Sequence, residues 1–190
     1  MTIQKARKTR ATRSEKQVAS DLGGRLTPAS GAREEKADVV VKRKAFFENG
    51  ILRETDNFAF RVEVKTTEAA SYSFSGEDWM KVVQAALKKD EVPVFVITVN
   101  LRTMRQMFAV ITNRFFSEIH KPGGAPPDIK SVGRRSVKVS KDLLTSEIRG
   151  ISYHRLVFDT RVPTSRNDVC LIKYADFLQL VERAENEKCD

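Results

Sequence analysis

Histidine and cysteine are almost missing from this chain, with two of each among 190 residues. His120 and His154 fall outside any His-x-x-x-His or His-Asn-His spacing. This excludes zinc-protease and histidine-centred hydrolytic sites and leaves both as surface or packing residues. Cys170 and Cys189 show neither Cys-x-x-Cys nor Cys-x-His spacing, so they supply no zinc site and no disulfide framework. A Gly-x-x-x-x-Gly-Lys loop is absent, and nucleotide hydrolysis with it. No apolar run approaches the roughly 18 to 20 residues that span a bilayer. The N-terminal positive charges are not followed by the apolar stretch of a secretory signal. The expectation is a cytoplasmic protein, in a cell's own cytoplasm or in a host's if the source is viral, with no membrane partner.

Acid is also short relative to base. There are 34 Lys and Arg against 25 Asp and Glu, a formal net charge of +9. Such an excess favours polyanionic partners, nucleic acid first, through release of condensed counterions. Part of it is concentrated in residues 1–14, where Lys5, Arg7, Lys8, Arg10 and Arg13 occur without any acid. This reads as a basic arm, unordered without a partner, that either binds DNA or keeps the chain in solution. Arg33, Arg134 and Arg135 are further candidate DNA contacts. At 41% apolar residues there is enough for one real core.

Thr12 followed by Glu15 has the form of a capping box, so a short helix is expected to start there. Its apolar stripe is Val18, Ala19 and Leu22, and Glu15 falls on the same face by its spacing. A carboxylate on a core-facing stripe has to be paired, neutral or metal-bound. Gly23-Gly24 ends the helix, and a turn-rich stretch follows over residues 27–32. Asp38 opens a β-branched run, Val39-Val40-Val41, which reads as a strand. Glu48-Asn49-Gly50 signals a hairpin turn. A second strand over residues 58–65 sets Phe58, Phe60, Val62 and Val64 against Ala59, Arg61, Glu63 and Lys65.

Ser75 and Asp78 form another capping pair, ahead of a helix whose buried stripe is Trp79, Val82, Val83, Ala86 and Leu87. Lys88-Lys89-Asp90 closes it. Residues 92–99, with Pro93 near their start, read as a buried strand, and residues 107–112 as another. Residues 121–150 read as a long basic connection. Within it, Gly133-Arg134-Arg135 either contacts phosphate or is a solvated loop. A strand over 153–159 and a helix over 174–185 complete the chain. The order of helix, strand, strand, helix, strand predicts an α/β domain on a mixed central sheet flanked by helices. The expected organisation is the arm at 1–14, a core at 15–112, and a C-terminal extension at 113–190 packed on the same domain.

Glu63 and Lys65 stand two apart on a predicted strand, so both project from one face. Asp38 sits at the mouth of the neighbouring strand. Asp38 and Glu63 can therefore converge on one divalent cation, with Lys65 beside it. Mg²⁺ takes carboxylate oxygens and keeps several waters, which suits two carboxylates. Such an ion polarises a scissile phosphate and acidifies a bound water, and Lys65 can position that water or offset charge on the phosphate. Alternating charges on the solvent face of a strand need no function, so the weight rests on the combination.

The series Glu15, Ser30-Gly31, Asp38, Glu63-Val64-Lys65, then Ser75 leading into a helix and an apolar strand, resembles the archaeal-type Holliday junction resolvases of the PD-(D/E)XK nuclease superfamily. The resemblance covers roughly residues 12–100. It implies a restriction-endonuclease-like fold, and Mg²⁺ or Mn²⁺ held by Glu15, Asp38, Glu63 and Val64. It also implies a catalytic Lys65 and a Ser30 that assists cleavage from a loop. Ala37 stands where those enzymes usually carry proline, and residues beyond 100 have no counterpart in the resemblance. By the same resemblance the chain is expected to cut four-way junctions in recombination and repair as a twofold homodimer, since two symmetric incisions need two sites. The helix of Trp79 and the strand near Phe108 are the candidate dimer surfaces. Two other readings stay open: a restriction or repair-type nuclease acting on duplex DNA, and a non-catalytic DNA-binding module with a nuclease fold.

Overall fold

The computed structural model describes residues 3–27, 38–43, 45–48, 51–54, 58–101, 103–120, 129–144, 146–148, 150–159 and 165–187. The first helix, α1 (Ile3–Asp21), is continuous from residue 3. The basic arm is therefore largely helical, and Thr12 and Glu15 lie inside the helix rather than at its start. The reason is composition. Ala, Lys, Arg, Gln and Glu are good helix formers, and no glycine or proline interrupts residues 3–21. The expected stop is present. Gly23 takes a left-handed φ of 63°, while Gly24 N–H reaches Ala19 O at 2.8 Å and Gly23 N–H reaches Ser20 O at 3.2 Å. This is the paired bonding of a Schellman end. A Cβ on Gly24 would stand 2.8 Å from the Val41 side chain, so the chain leaves α1 hard against the sheet.

Next come β1 (Arg25–Leu26) and β2 (Val39–Val41), then a hairpin of β3 (Ala45–Glu48) and β4 (Ile51–Glu54). Glu48 faces Ile51 across that pair, as the turn signal implies, with Asn49 and Gly50 outside the described residues. The hairpin forms a two-stranded sheet of its own. The hairpin turn signalled by Glu48-Asn49-Gly50 therefore does not directly connect β2 to the strand of Glu63. The chain then returns as β5 (Phe60–Thr67), which pairs antiparallel with β2. After a turn come β6 (Tyr72–Ser75), α2 (Gly76–Leu87), β7 (Val92–Asn100), β8 (Arg105–Thr112) and α3 (Asn113–His120).

Residues 121–128 lie outside the description, but the rest of the expected long connection is built into the fold. It contains β9 (Ile129–Arg134), β10 (Ser136–Val139), a short 3-10 turn and β11 (Ser146–Ile148). The remaining elements are β12 (Ile151–Phe158), a second 3-10 turn, β13 (Asp168–Lys173) and α4 (Tyr174–Glu187). The correction has a physical basis. Basic residues at alternate positions leave Val137 half-buried and Val139 fully buried, which is enough to pin a short strand. α3 also escaped notice. Its Phe115, Phe116 and Ile119 are buried at helical spacing, and Thr112 Oγ1 caps Phe115 N–H at 3.1 Å.

The central sheet has nine strands in the order β1-β2-β5-β7-β8-β13-β12-β11, with β9 also on β12. It is mixed: β5 with β7 and β12 with β9 are parallel, and the other pairs are antiparallel. Side chains alternate across it. Phe60, Val62, Val64, Val94, Val96, Ala109, Ile111, Cys170 and Ile172 meet α1, α3 and α4 on one face. On the other face, Phe95, Ile97, Phe108, Val110 and Leu171 meet α2 and the small sheet of β6 and β10. Among the described residues the fold is thus an α/β layer structure with four helices around one mixed sheet.

The two candidate dimer surfaces differ: α2 keeps an exposed outer face through Glu77, Lys81, Gln84 and Leu87, whereas the named residues themselves point into the core. Trp79 is fully buried, with its indole N–H on Arg166 O at 2.7 Å. Phe108 is buried on β8, a central strand. His120 and His154 are buried packing residues. Cys170 is buried too, and its thiol pKa is pushed far up, chiefly by burial. No helix among the described residues is long and apolar enough to cross a membrane.

Candidate active site at the rim of the sheet

The alternation along β5 decides which residues share a site. Because Phe60, Val62 and Val64 face α1, α3 and α4, the side chains of Arg61, Glu63 and Lys65 emerge on the α2 side. Arg61 does not reach an active centre: it is buried against Glu91, Nε to Oε2 at 2.5 Å. Farther along the strand, Lys65 Nζ donates to Glu63 Oε1. The Lys65 side chain remains 42% exposed, so an incoming phosphate can reach its ammonium group.

Asp38 approaches this pair from the end of β2. In the ladder Val39 faces Val62, yet Asp38 N–H also goes to Val62 O, at 3.0 Å. Asp38, the residue before β2, and Val39 thus both meet Val62 of β5, an irregularity of the kind a β-bulge makes. The bulge lets the side chain replace a backbone acceptor, so that Asp38 Oδ2 accepts Val64 N–H at 2.8 Å. A strand N–H points within the plane of its sheet. The Asp38 carboxylate therefore lies in that plane, at the end of β2, where both faces of the sheet are within reach.

Glu63 comes to it from the α2 face. Glu15 comes from α1, which contacts β2 and β5 from the opposite face. The electrostatics follow this placement. The Glu15 pKa is raised by burial first and by Asp38 next, with Lys65 opposing and Glu63 adding. Glu63 is also raised, by burial and then Asp38, against the lowering pull of Lys65. For Lys65, burial is the largest influence and lowers the pKa, but the Glu63 hydrogen bond, Glu63 charge and Asp38 charge together leave it raised. Asp38 is thus the first charge that raises either glutamate, and the three acids and one base form one electrostatic unit.

Among the described residues, no group of three or more His, Cys, Asp and Glu side chains stands close enough to hold a metal ion by itself. The donor chemistry still fits Mg²⁺, which binds through one or two carboxylates and retains waters. Asp38 and Glu63 supply such a pair.

The remaining sequence-based candidates divide. Ser30 and Arg33 lie outside the described residues. Lys5, Arg7, Lys8 and Arg10 belong to α1, but the description does not extend to their side chains; Arg13 is exposed. Arg134 and Arg135 are exposed where β9 gives way to β10.

Two neighbours were not singled out from sequence. Tyr72 has its pKa raised by burial and then Asp78, with Lys65 lowering and Glu63 raising it, so it stands within the field of the cluster. Its ring centroid is 6.3 Å from that of Phe95, the residue paired with Glu63 across β5 and β7. Asp78, in the first turn of α2, also acts on Glu63. It was visible only as a capping partner, and that role holds: Ser75 Oγ accepts Asp78 N–H at 3.1 Å and donates to Asp78 Oδ2 at 2.8 Å.

Comparison of the sequence with known families finds no family model that matches. Comparison with curated proteins finds no match either.

Proposed function

We propose that this chain is a divalent-metal-dependent DNA endonuclease of the PD-(D/E)XK kind, acting on branched DNA such as four-way junctions. The observation that carries the reading is the Asp38 carboxylate fixed on Val64 N–H, between Glu63 and Lys65 in sequence. A strand-borne Glu-x-Lys is common. One whose middle N–H anchors the aspartate of the adjoining strand has a built purpose.

Asp38 and Glu63 would hold Mg²⁺ or Mn²⁺; of the further ligands the resemblance implies, Val64 would offer its carbonyl oxygen, and Glu15, not close enough to complete a three-acid group, would act through a bound water. Bound there, the ion supplies charge against the scissile phosphate and acidifies a water. Lys65 contributes a fixed ammonium where negative charge builds on the attacked phosphate. Water adds to phosphorus as the bond to the leaving oxygen breaks. One end is left with a phosphate and the other with a hydroxyl: one proton of the water ends on the leaving oxygen, and the second is released as the new phosphate monoester ionises. The net charge of +9 supports DNA as partner. Junction preference and a homodimer rest on the motif order described above.

The Glu63–Lys65 pairing favours one other reading, in which the lysine is engaged by its neighbour and the fold binds DNA without cutting it. A panel of labelled four-way junction, nicked duplex and linear duplex, each with Mg²⁺, Mn²⁺ or EDTA, tests both. The proposal expects metal-dependent incision, fastest on the junction. Binding to all three with no incision under any metal supports the non-catalytic reading. Equal cutting of linear duplex points to a restriction or repair-type enzyme.

A further inference from the structure

The β6–β10 pair has an outer face with a single chemical character. Ser136 faces Ser75, Val137 faces Phe74, Lys138 faces Ser73, and Val139 faces Tyr72. Opposed residues share a face. Phe74 and Val139 are buried in the core shared with α2, with Val137 packed against it. The alternate set, Ser73, Ser136 and Lys138, is exposed. Arg134 and Arg135, just before β10, are exposed as well. Ser75, half-buried and bonded to Asp78, completes that face, so the exposed groups are two hydroxyls and Lys138 on the ribbon and two guanidinium groups in the chain entering β10.

Two further observations set this ribbon apart from generic basic surface. Four basic residues near the sheet are paired internally, Arg61 with Glu91, Lys65 with Glu63, Arg155 with Asp168 and Lys81 with Asp78, while others such as Lys42, Arg43 and Lys173 are exposed singly. Among the described residues, no ion pair engages Arg134, Arg135 or Lys138. The ribbon is also tied at one end to the strand of the acidic cluster and at the other to α2. At the first, the Tyr72 ring stands 6.3 Å from that of Phe95, the cross-strand partner of Glu63. At the other, Arg135 O accepts the N–H of Gly76, the first residue of α2. With about 3.3 Å per strand residue, the ribbon from Tyr72 to Ser75 extends about 10 Å.

We infer that the outer face of β6–β10 is a phosphate-backbone track: Arg135 and Lys138, flanked by Ser73 and Ser136, grip one strand of nucleic acid and lead it past Lys65. The inference rests on the proposed nuclease reading, since it assigns the path of that enzyme's substrate. The contacts are to phosphate and sugar, so they confer affinity and position rather than sequence preference.

The test compares matched charge losses at the two ends of α2. Affinity for a fluorescent four-way junction is measured in EDTA, across a salt series, with the full-length protein. The Arg135→Ala/Lys138→Ala variant should bind more weakly, with a salt slope shallower by about two, one unit per lost phosphate contact. Lys88→Ala/Lys89→Ala, which removes the same charge from the exposed C-terminal end of the helix, should keep the wild-type slope. The charge-preserving pair Arg135→Lys/Lys138→Arg should keep it as well. Equal slopes for the two alanine variants, or a charge-preserving pair as weak as the alanine pair, overturn the track. Failure of the wild-type protein to cut DNA with Mg²⁺, while the slope difference persists, would sink the nuclease reading and leave the track standing.

Discussion

Asp38 Oδ2 accepts the N–H of Val64 at 2.8 Å, so one side chain both closes the β2–β5 ladder and sets a negative charge between two glutamates. These two roles are separable by substitution. In Asp38→Asn the amide oxygen can still accept from Val64, so melting should stay near wild type. Asp38→Ala leaves a buried N–H unpaired and should lose about 1–3 kcal/mol. Both should lower the cleavage rate by about 10²- to 10³-fold or more. Denaturant unfolding alongside single-turnover cutting checks the pair. An asparagine variant with normal activity contradicts the assignment.

The raised pKa values of Glu15 and Glu63 make the site a local instability at neutral pH. A carboxyl whose folded pKa lies above its unfolded value holds its proton more tightly when folded. Its effect on stability is therefore absent below about 4.5 and becomes unfavourable as pH rises through the raised folded value. Glu15→Gln and Glu63→Gln should each melt higher than wild type at pH 7, and the gain should shrink as pH falls towards 4.5. Lys65 behaves differently: its raised folded pKa stabilises below 10.5, and that support is lost as pH climbs through the folded value. Thermal melts from pH 4 to 8 decide the matter for the two acids. A gain independent of pH would mean that neither burial nor the neighbouring acids raise these two carboxyls.

If Asp38 and Glu63 hold Mg²⁺, the metal should raise the melting temperature by binding only the folded state. At a hundredfold excess over the dissociation constant the gain is about 2.7 kcal/mol. Asp38→Asn should abolish most of the shift, and EDTA should reverse it in wild type. A shift of equal size in the variant would place the ion elsewhere.

Arg61 shares a face with Glu63 and Lys65 but serves the fold. It forms a buried pair with Glu91, the side chains being 3% and 9% exposed. Removing one partner strands the other charge, so Glu91→Gln should cost about 3–5 kcal/mol. Below the melting temperature its cutting rate should match wild type. A stable but inactive Glu91→Gln would show that the pair belongs to the site.

Much of the site was legible because it depends on short-range patterning. The alternation of Phe60, Val62 and Val64 with Arg61, Glu63 and Lys65 fixes the faces of β5, and Ser75 with Asp78 marks the start of α2. The place of Glu15 on the core-facing stripe of Val18 and Ala19 was legible from spacing, but its association with Asp38 came only from the resemblance. The bulge at Asp38 had no local signature, since it is defined by which N–H meets Val62 O. The β6–β10 ribbon was illegible for a related reason. Tyr72 and Val139 pair across a long stretch of chain, and neither short strand carries enough apolar residues to announce itself. The length of α1 is not legible in the same way: clustered positive charge has the pattern of a disordered arm, although charge repulsion alone does not override good helix formers.

The account stands most directly on one comparison: single-turnover incision of a labelled four-way junction by wild type, Asp38→Asn and Lys65→Ala, with and without Mg²⁺. It predicts cutting by wild type only with the metal, and loss in both variants despite retained junction binding. Lys65→Ala cutting at the wild-type rate, or wild-type cutting that persists in EDTA, would contradict it.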